Sequence, residues 1–126
     1  MPNNHLNRLE REALLRALAG REEWKVALRK QIPHLIVNNR VDTIVGGYTN
    51  FGFDNEVHSA EISKSQKGYP AAIDVSHPGL KYGGAFIVWT KCGNISSLEY
   101  YANGAEKWPS TDDSLNSLFK FEGRIT

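Results

Sequence analysis

The sequence predicts an α+β protein, an N-terminal αα-hairpin packed on one face of a largely antiparallel sheet of about five or six strands. Three observations carry this. Up to Ile32 the apolar residues recur at three- and four-residue spacing, the period of an amphipathic helix, and from Leu35 onward the period changes toward alternation. The strand-like runs that follow are joined by short turns, without the helical crossovers that parallel strands need. Two apolar runs, Ala85–Thr90 and Ile95–Tyr101, flank Lys91-Cys92-Gly93-Asn94. Gly93 and Asn94 tolerate positive φ, so this segment reads as a β-hairpin.

Leu6, Leu9, Ala13, Leu14, Ala17 and Leu18 define the first helix, over about residues 5–19, with Asn4 as its cap and Gly20 as its stop. The second helix, about residues 22–32, has Glu22 and Glu23 in its first turn, where the helix dipole favours acids. It is expected to bury Trp24, Ala27, Leu28 and Ile32 before Pro33 ends it. A strand is expected to close at Gly46-Gly47, and Tyr48–Val57 reads as a second extended segment, with Gly52 marking a bulge or a close backbone approach. Ser63–Gly68 reads as a loop. Ala71–Val75 reads as a short strand stopped by Ser76-His77-Pro78-Gly79. After the hairpin and Trp108-Pro109, Leu115–Phe121 fits either a last strand or a short helix.

At 126 residues, read as one domain over 1–126, the chain is long enough to bury about two-thirds of its unfolded surface without metals or disulfides. Cys92 is its only cysteine, so no intrachain disulfide forms, and a reducing compartment is favoured. No signal peptide pattern opens the chain, and no apolar run approaches the ~20 residues of a membrane span, so a cytoplasmic, membrane-free protein is expected. The net charge of +1 is uneven. Residues 1–40 carry eight Lys/Arg against four Asp/Glu, and residues 41–126 carry seven against ten.

The chemistry-bearing residues form no catalytic pattern. His5, His34, His58 and His77 stand too far apart for metal-ligand spacing. Cys92 has no neighbouring base to activate it. Gly46-Gly47 and Gly83-Gly84 border strands, whereas a phosphate loop opens a helix. No catalytic residue, metal or cofactor is therefore expected. The conspicuous residue is Glu99, an acid inside an apolar strand. Alternation places it with Ser97 and Tyr101, opposite Leu98 and Tyr100. It reads either as a cross-strand-paired carboxylate, with Tyr48 as a partner, or as part of a site with Tyr48, Tyr101 and Trp108. Most of the aromatic rings in this half are expected to be core.

Tyr48-Thr49-x-x-Gly52-Phe53, Gly83-Gly84-Ala85-Phe86 and Leu98-Glu99-x-Tyr101 leading to Trp108-Pro109 stand in this order along the chain. In this the sequence resembles a group of small uncharacterised bacterial proteins with a Tyr-Thr-Gly-x-Gly-Phe segment and a Leu-Glu-Gly-Tyr strand followed by Trp-Pro. The likeness runs from about Leu14 to Pro109. It departs at Asn50, where the group has a glycine, and at Tyr100, where the group has a glycine beside the acid. The resemblance implies a bacterial origin and supports the fold. No activity comes with it.

Three functions follow as expectations. The first is a non-enzymatic interaction protein, such as an immunity protein that neutralises a toxin domain, whose acidic half meets a basic partner. The second is a small-ligand-binding protein or minor enzyme with a pocket near Glu99, Tyr101 and Tyr48. The third is nucleic-acid binding through Arg8, Arg11, Arg16, Lys25, Arg29 and Lys30. It is disfavoured because the aromatic half of the chain, where bases would stack, is net acidic. Tyr48, Asn50, Glu99, Tyr101 and Trp108 are the candidate contact residues. The oligomeric state is left open at this level.

Overall fold

The computed structural model describes residues 5–61, 71–109 and 118–122. Two helices, α1 (Arg8–Ala17) and α2 (Glu23–Gln31), precede six strands. The strands are β1 (Leu35–Asp42), β2 (Gly46–Phe53), β3 (Ala71–His77), β4 (Leu80–Lys91), β5 (Asn94–Ala102) and β6 (Lys120–Glu122). They form one antiparallel sheet in the order β1-β2-β5-β4-β3-β6. The expected α+β class and antiparallel sheet are observed.

The helices cover one face of this sheet, α1 over β3 and β4 and α2 over β5. Leu9, Leu14, Leu18 and Leu28 pack there in one cluster with Val75, Phe86, Val88 and Leu98. Burying such side chains removes apolar surface from water at about 25 cal/mol per Å². The expected leader of the second helix is less engaged than its size suggests. Trp24 is only partly buried, with the Lys25 ammonium 5.4 Å from its ring centre. Leu28 and Ile32 are the buried residues of that stripe, and Ala27 lies at its margin.

Local chemistry explains the helix ends. Asn7, not Asn4, is the N-cap of α1. Its side chain accepts from Glu10 N at 2.8 Å, and Glu10 accepts from Asn7 N at 2.8 Å, a reciprocal capping box. Gly20, at φ +141°, lets the chain turn back, and Arg29 donates to the carbonyl oxygens of Leu18 and Gly20. Pro33 sits in the 3₁₀ turn Ile32–His34 that feeds β1.

Two sequence-level boundaries move. The first strand ends at Asp42, the chain turns over Thr43–Val45, and Gly46-Gly47 open the next strand instead of closing this one. The following extended segment stops at Phe53, short of Val57, and Asp54 N bonds back to His34 O at 2.9 Å. Lys120–Glu122 is a strand, which decides between strand and helix where it overlaps the Leu115–Phe121 segment. Residues 115–117, and the Ser63–Gly68 loop, lie outside the described residues.

The β4–β5 turn places Cys92 at φ 54° and Gly93 at φ 80°. The positive-φ pair is thus Cys92-Gly93, one residue earlier than Gly93-Asn94, as a two-residue loop with two left-handed positions requires. Cysteine adopts that conformation poorly, and asparagine adopts it well. Cys92→Asn is expected to stabilise the protein by about 0.5–1 kcal/mol, read from a urea unfolding midpoint. No gain would mean that the left-handed residue is not a strained position.

Behind this turn a buried glutamine ties three elements together. Gln31 donates to His58 O at 2.9 Å and to Gly93 O at 3.1 Å, and its Oε1 accepts from Ile95 N at 2.9 Å. One side chain therefore satisfies backbone groups from two segments at the end of α2.

Candidate functional site

No helix among the described residues packs on the second face of the sheet, and the residue types there follow from register. Tyr48 on β2 lies opposite Glu99 on β5, and Glu99 lies opposite Ile87 on β4. A bulge sets this phase. Lys91 pairs with Asn94 and Thr90 with Ile95, but Trp89 then pairs with Ser97, leaving Ser96 unpaired. After the bulge Leu98 and Tyr100 turn to the helix-covered core, while Ser97, Glu99 and Tyr101 face the other way.

Glu99 is held from both sides on that second face. The Tyr48 hydroxyl donates to Oε2 at 3.0 Å, and the Trp89 indole N–H donates to Oε1 at 2.9 Å. The hydrogen bond to the Glu99 carboxylate, reinforced by its charge, raises the Tyr48 phenol above its ordinary pKa. Among the described residues no Lys, Arg or His forms an ion pair with Glu99. Its neighbours on the strand grid, including Ile87, Ser97, Tyr101 and Asn50, carry no charge either. The arrangement is a fixed acceptor.

The sequence-level candidates divide. Tyr48 and Glu99 are hydrogen-bonded, and Asn50 and Tyr101 share their face. Asn50 donates to Asn39 Oδ1 at 2.7 Å across the β1–β2 pair. Trp108 is a correction. It lies on the helix-covered side against Phe86 and Tyr100, ring centres 5.7 and 5.1 Å away, and it is buried. The four-residue pocket of Glu99, Tyr101, Tyr48 and Trp108 is therefore not formed, because the sheet separates Trp108 from the others. Trp89 was missed as a contact residue. Its indole lies diagonally across from Glu99, and only the Ser96 bulge puts it on that face.

Two further places have functional character. A groove of about 580 Å³ runs between α2 and the segment after β2, with Val26, Ala27 and Val57 as apolar lining and Arg21, Lys30, His34 and His58 among its polar groups. Glu23 and Glu56 also line it, and His34 stands 3.3 Å from Asp54. On the helix-covered side a smaller cavity of about 120 Å³ is lined by Glu10, Arg40, Asp42, Tyr100 and Trp108. Burial, with the nearby Asp42 and Glu10 charges, pushes the Tyr100 phenol up to about 12.

Among the described residues no group of three or more His, Cys, Asp and Glu is placed to hold a metal ion. Cys92 is an exposed thiol at the hairpin tip. No described helix is long and apolar enough to cross a membrane. No family model, curated protein or solved structure matches this chain.

Proposed function

We propose that this chain is a non-enzymatic interaction protein that engages a protein partner through the sheet face centred on Glu99. An immunity protein that neutralises a toxin in the bacterial cytoplasm fits this reading. One observation carries it: a carboxylate held by two neutral donors, with no ion-pair partner among the described residues, on a face that no described helix covers. An acid held in place by neutral donors is complementary to a positive group on a partner. The uneven charge of the chain supports the same reading.

The nucleic-acid alternative loses support, because half of its proposed contact residues have other work. Arg16 pairs with Glu12 at 2.7 Å, Lys25 pairs with Glu22 at 3.1 Å, and Arg29 caps backbone carbonyls. The small-ligand alternative moves from Glu99 to the α2 groove, whose volume lies in the range of small-molecule sites. It predicts that Val26→Trp abolishes ligand binding and leaves partner binding intact.

The test of the main reading uses the protein recovered with this chain at stoichiometric level from the cells that produce it. Glu99→Gln keeps the side chain's shape and one acceptor oxygen, so the unfolding free energy should change by less than about 1 kcal/mol. Affinity for the partner should fall by about tenfold or more. Affinity unchanged within a factor of two, or no stoichiometric partner, would overturn the proposal.

A further inference from the structure

We infer that the Glu99 site accepts a guanidinium group, so that the partner presents an arginine to this face. The inference rests on the reading of this face as the binding surface and adds the chemistry of what it binds. An ionised carboxylate offers about four lone-pair positions on two oxygens. Tyr48 occupies one on Oε2 and Trp89 one on Oε1. One position on each oxygen is left, and both oxygens are held in place. That is the pattern a planar guanidinium fork engages through two parallel N–H···O bonds, whereas an ammonium engages a carboxylate as a point charge.

The surroundings favour the same group. The donors come from aromatic side chains on the strands either side of β5, so the acid lies between two rings. Arg is the more weakly hydrated of the two cations, so it loses less on leaving water for this site. Charge complementarity points the same way. Glu99 has no described ion-pair partner, and Ile87, Ser97, Tyr101, Asn50 and Ala85 around it are uncharged. An incoming arginine would meet one formal negative charge with no competing ion-pair partner among the described residues. An anionic ligand would meet that same charge unscreened and be repelled. Tyr48, 37% exposed, keeps the site accessible.

The Trp89 indole N–H is a direct reporter, because it donates to the atom that the guanidinium would share. In a ¹H–¹⁵N spectrum of the whole protein, with the indole signal assigned through Trp89→Phe, N-acetyl-arginine amide is titrated. N-acetyl-lysine amide and the neutral isostere N-acetyl-citrulline amide are run beside it. A saturable shift of the Trp89 indole is expected with the arginine probe and none with citrulline. In Glu99→Gln, with its amide spectrum otherwise unchanged, the arginine response should weaken by about fivefold or more.

Silence up to the solubility of the arginine probe would overturn the inference. So would an equal response to citrulline, or an arginine response that survives in Glu99→Gln. A lysine response equal to that of arginine would overturn the guanidinium assignment. In each of these cases a partner that Glu99→Gln fails to hold would leave the interaction reading standing. A saturable, Glu99-dependent arginine response with no stoichiometric partner in cells would overturn that reading alone.

Discussion

Glu10→Ala is expected to destabilise the protein by about 2–4 kcal/mol, the cost of stripping a hydrogen-bond cluster of its shared buried acceptor and of uncapping a helix. Glu10 is 4% exposed and accepts from every direction. Arg40 donates to both of its oxygens, at 2.9 and 2.8 Å, Asn7 N donates as the cap, and the Thr49 hydroxyl donates to Oε2. Removing the carboxylate takes the ion pair from the partly exposed Arg40 guanidinium, leaves the fully buried Thr49 hydroxyl without its acceptor, and uncaps α1. Replacing both charges, Glu10→Met with Arg40→Met, should recover only the share of the loss that belongs to the ion pair, since Thr49 still lacks its acceptor and α1 its cap. Urea midpoints of the single and double variants decide this. A single variant within about 1 kcal/mol of wild type would show that the pair is not holding α1 to β1 and β2.

The same carboxylate sets an acid limit. Burial pulls its pKa up, but the hydrogen bonds from Arg40, Thr49 and Asn7 together outweigh burial and hold it below the ordinary value. A carboxyl with a lower pKa folded than unfolded binds fewer protons in the native state. Its contribution is therefore fully present above the ordinary glutamate range and is lost as pH falls through the lowered folded value. Melting temperature should drop over that window in wild type, and more shallowly in Glu10→Gln, which carries no charge to protonate.

The second large effect is expected at a glycine. A Cβ on Gly46 would overlap the Tyr100 carbonyl oxygen and crowd Tyr101 Cα, all backbone atoms of the neighbouring strand. No rotamer change can relieve that clash, so β2 and β5 must part where Gly46 faces Tyr101. Gly46→Ala should cost about 3 kcal/mol or more, at or beyond the upper end of overpacking penalties. Gly52→Ala is the control. Its added Cβ would meet only the Asn38 side chain, at 3.1 Å, and Asn38 is exposed. It should stay within about 1 kcal/mol of wild type. Equal effects at the two glycines would show that the close strand approach is not what requires Gly46.

These two residues mark the limits of legibility. The helical period up to Ile32, the alternation beyond Leu35 and the short turns were enough to establish an α+β class with an antiparallel sheet, because periodicity is a local property that burial on one face imposes on the chain. The hairpin was visible for the same reason, and its left-handed pair was misplaced by only one residue. Glu99 stood out as an acid in an apolar run, and its pairing with Tyr48 was among the partners weighed. By contrast, Gly46-Gly47 looked like a strand end, since glycine's commonest local meaning is a turn. Its role here is to admit the backbone of β5 and the phenol of Tyr100, which lie more than fifty positions away. Nothing in the spacing around Glu10 sets it apart from the other charges of the first helix. Only the packing of α1 onto the sheet brings Arg40 and Thr49 to it.

The face carrying Glu99 shows the division most clearly. Alternation within β5 by itself separated Glu99 from Leu98 and Tyr100. Which residues of β4 join it depended on the pairing between strands. With an unbroken ladder from the turn, Phe86 would stand opposite Glu99. The unpaired Ser96 slips the ladder by one, so Ile87 stands there and Trp89 reaches the carboxylate. A one-residue slip reverses every side chain of a strand relative to its partner. Local residue preferences therefore determined the elements of this protein. The composition of its candidate site was decided by a bulge and a sheet order that arise only when the strands meet.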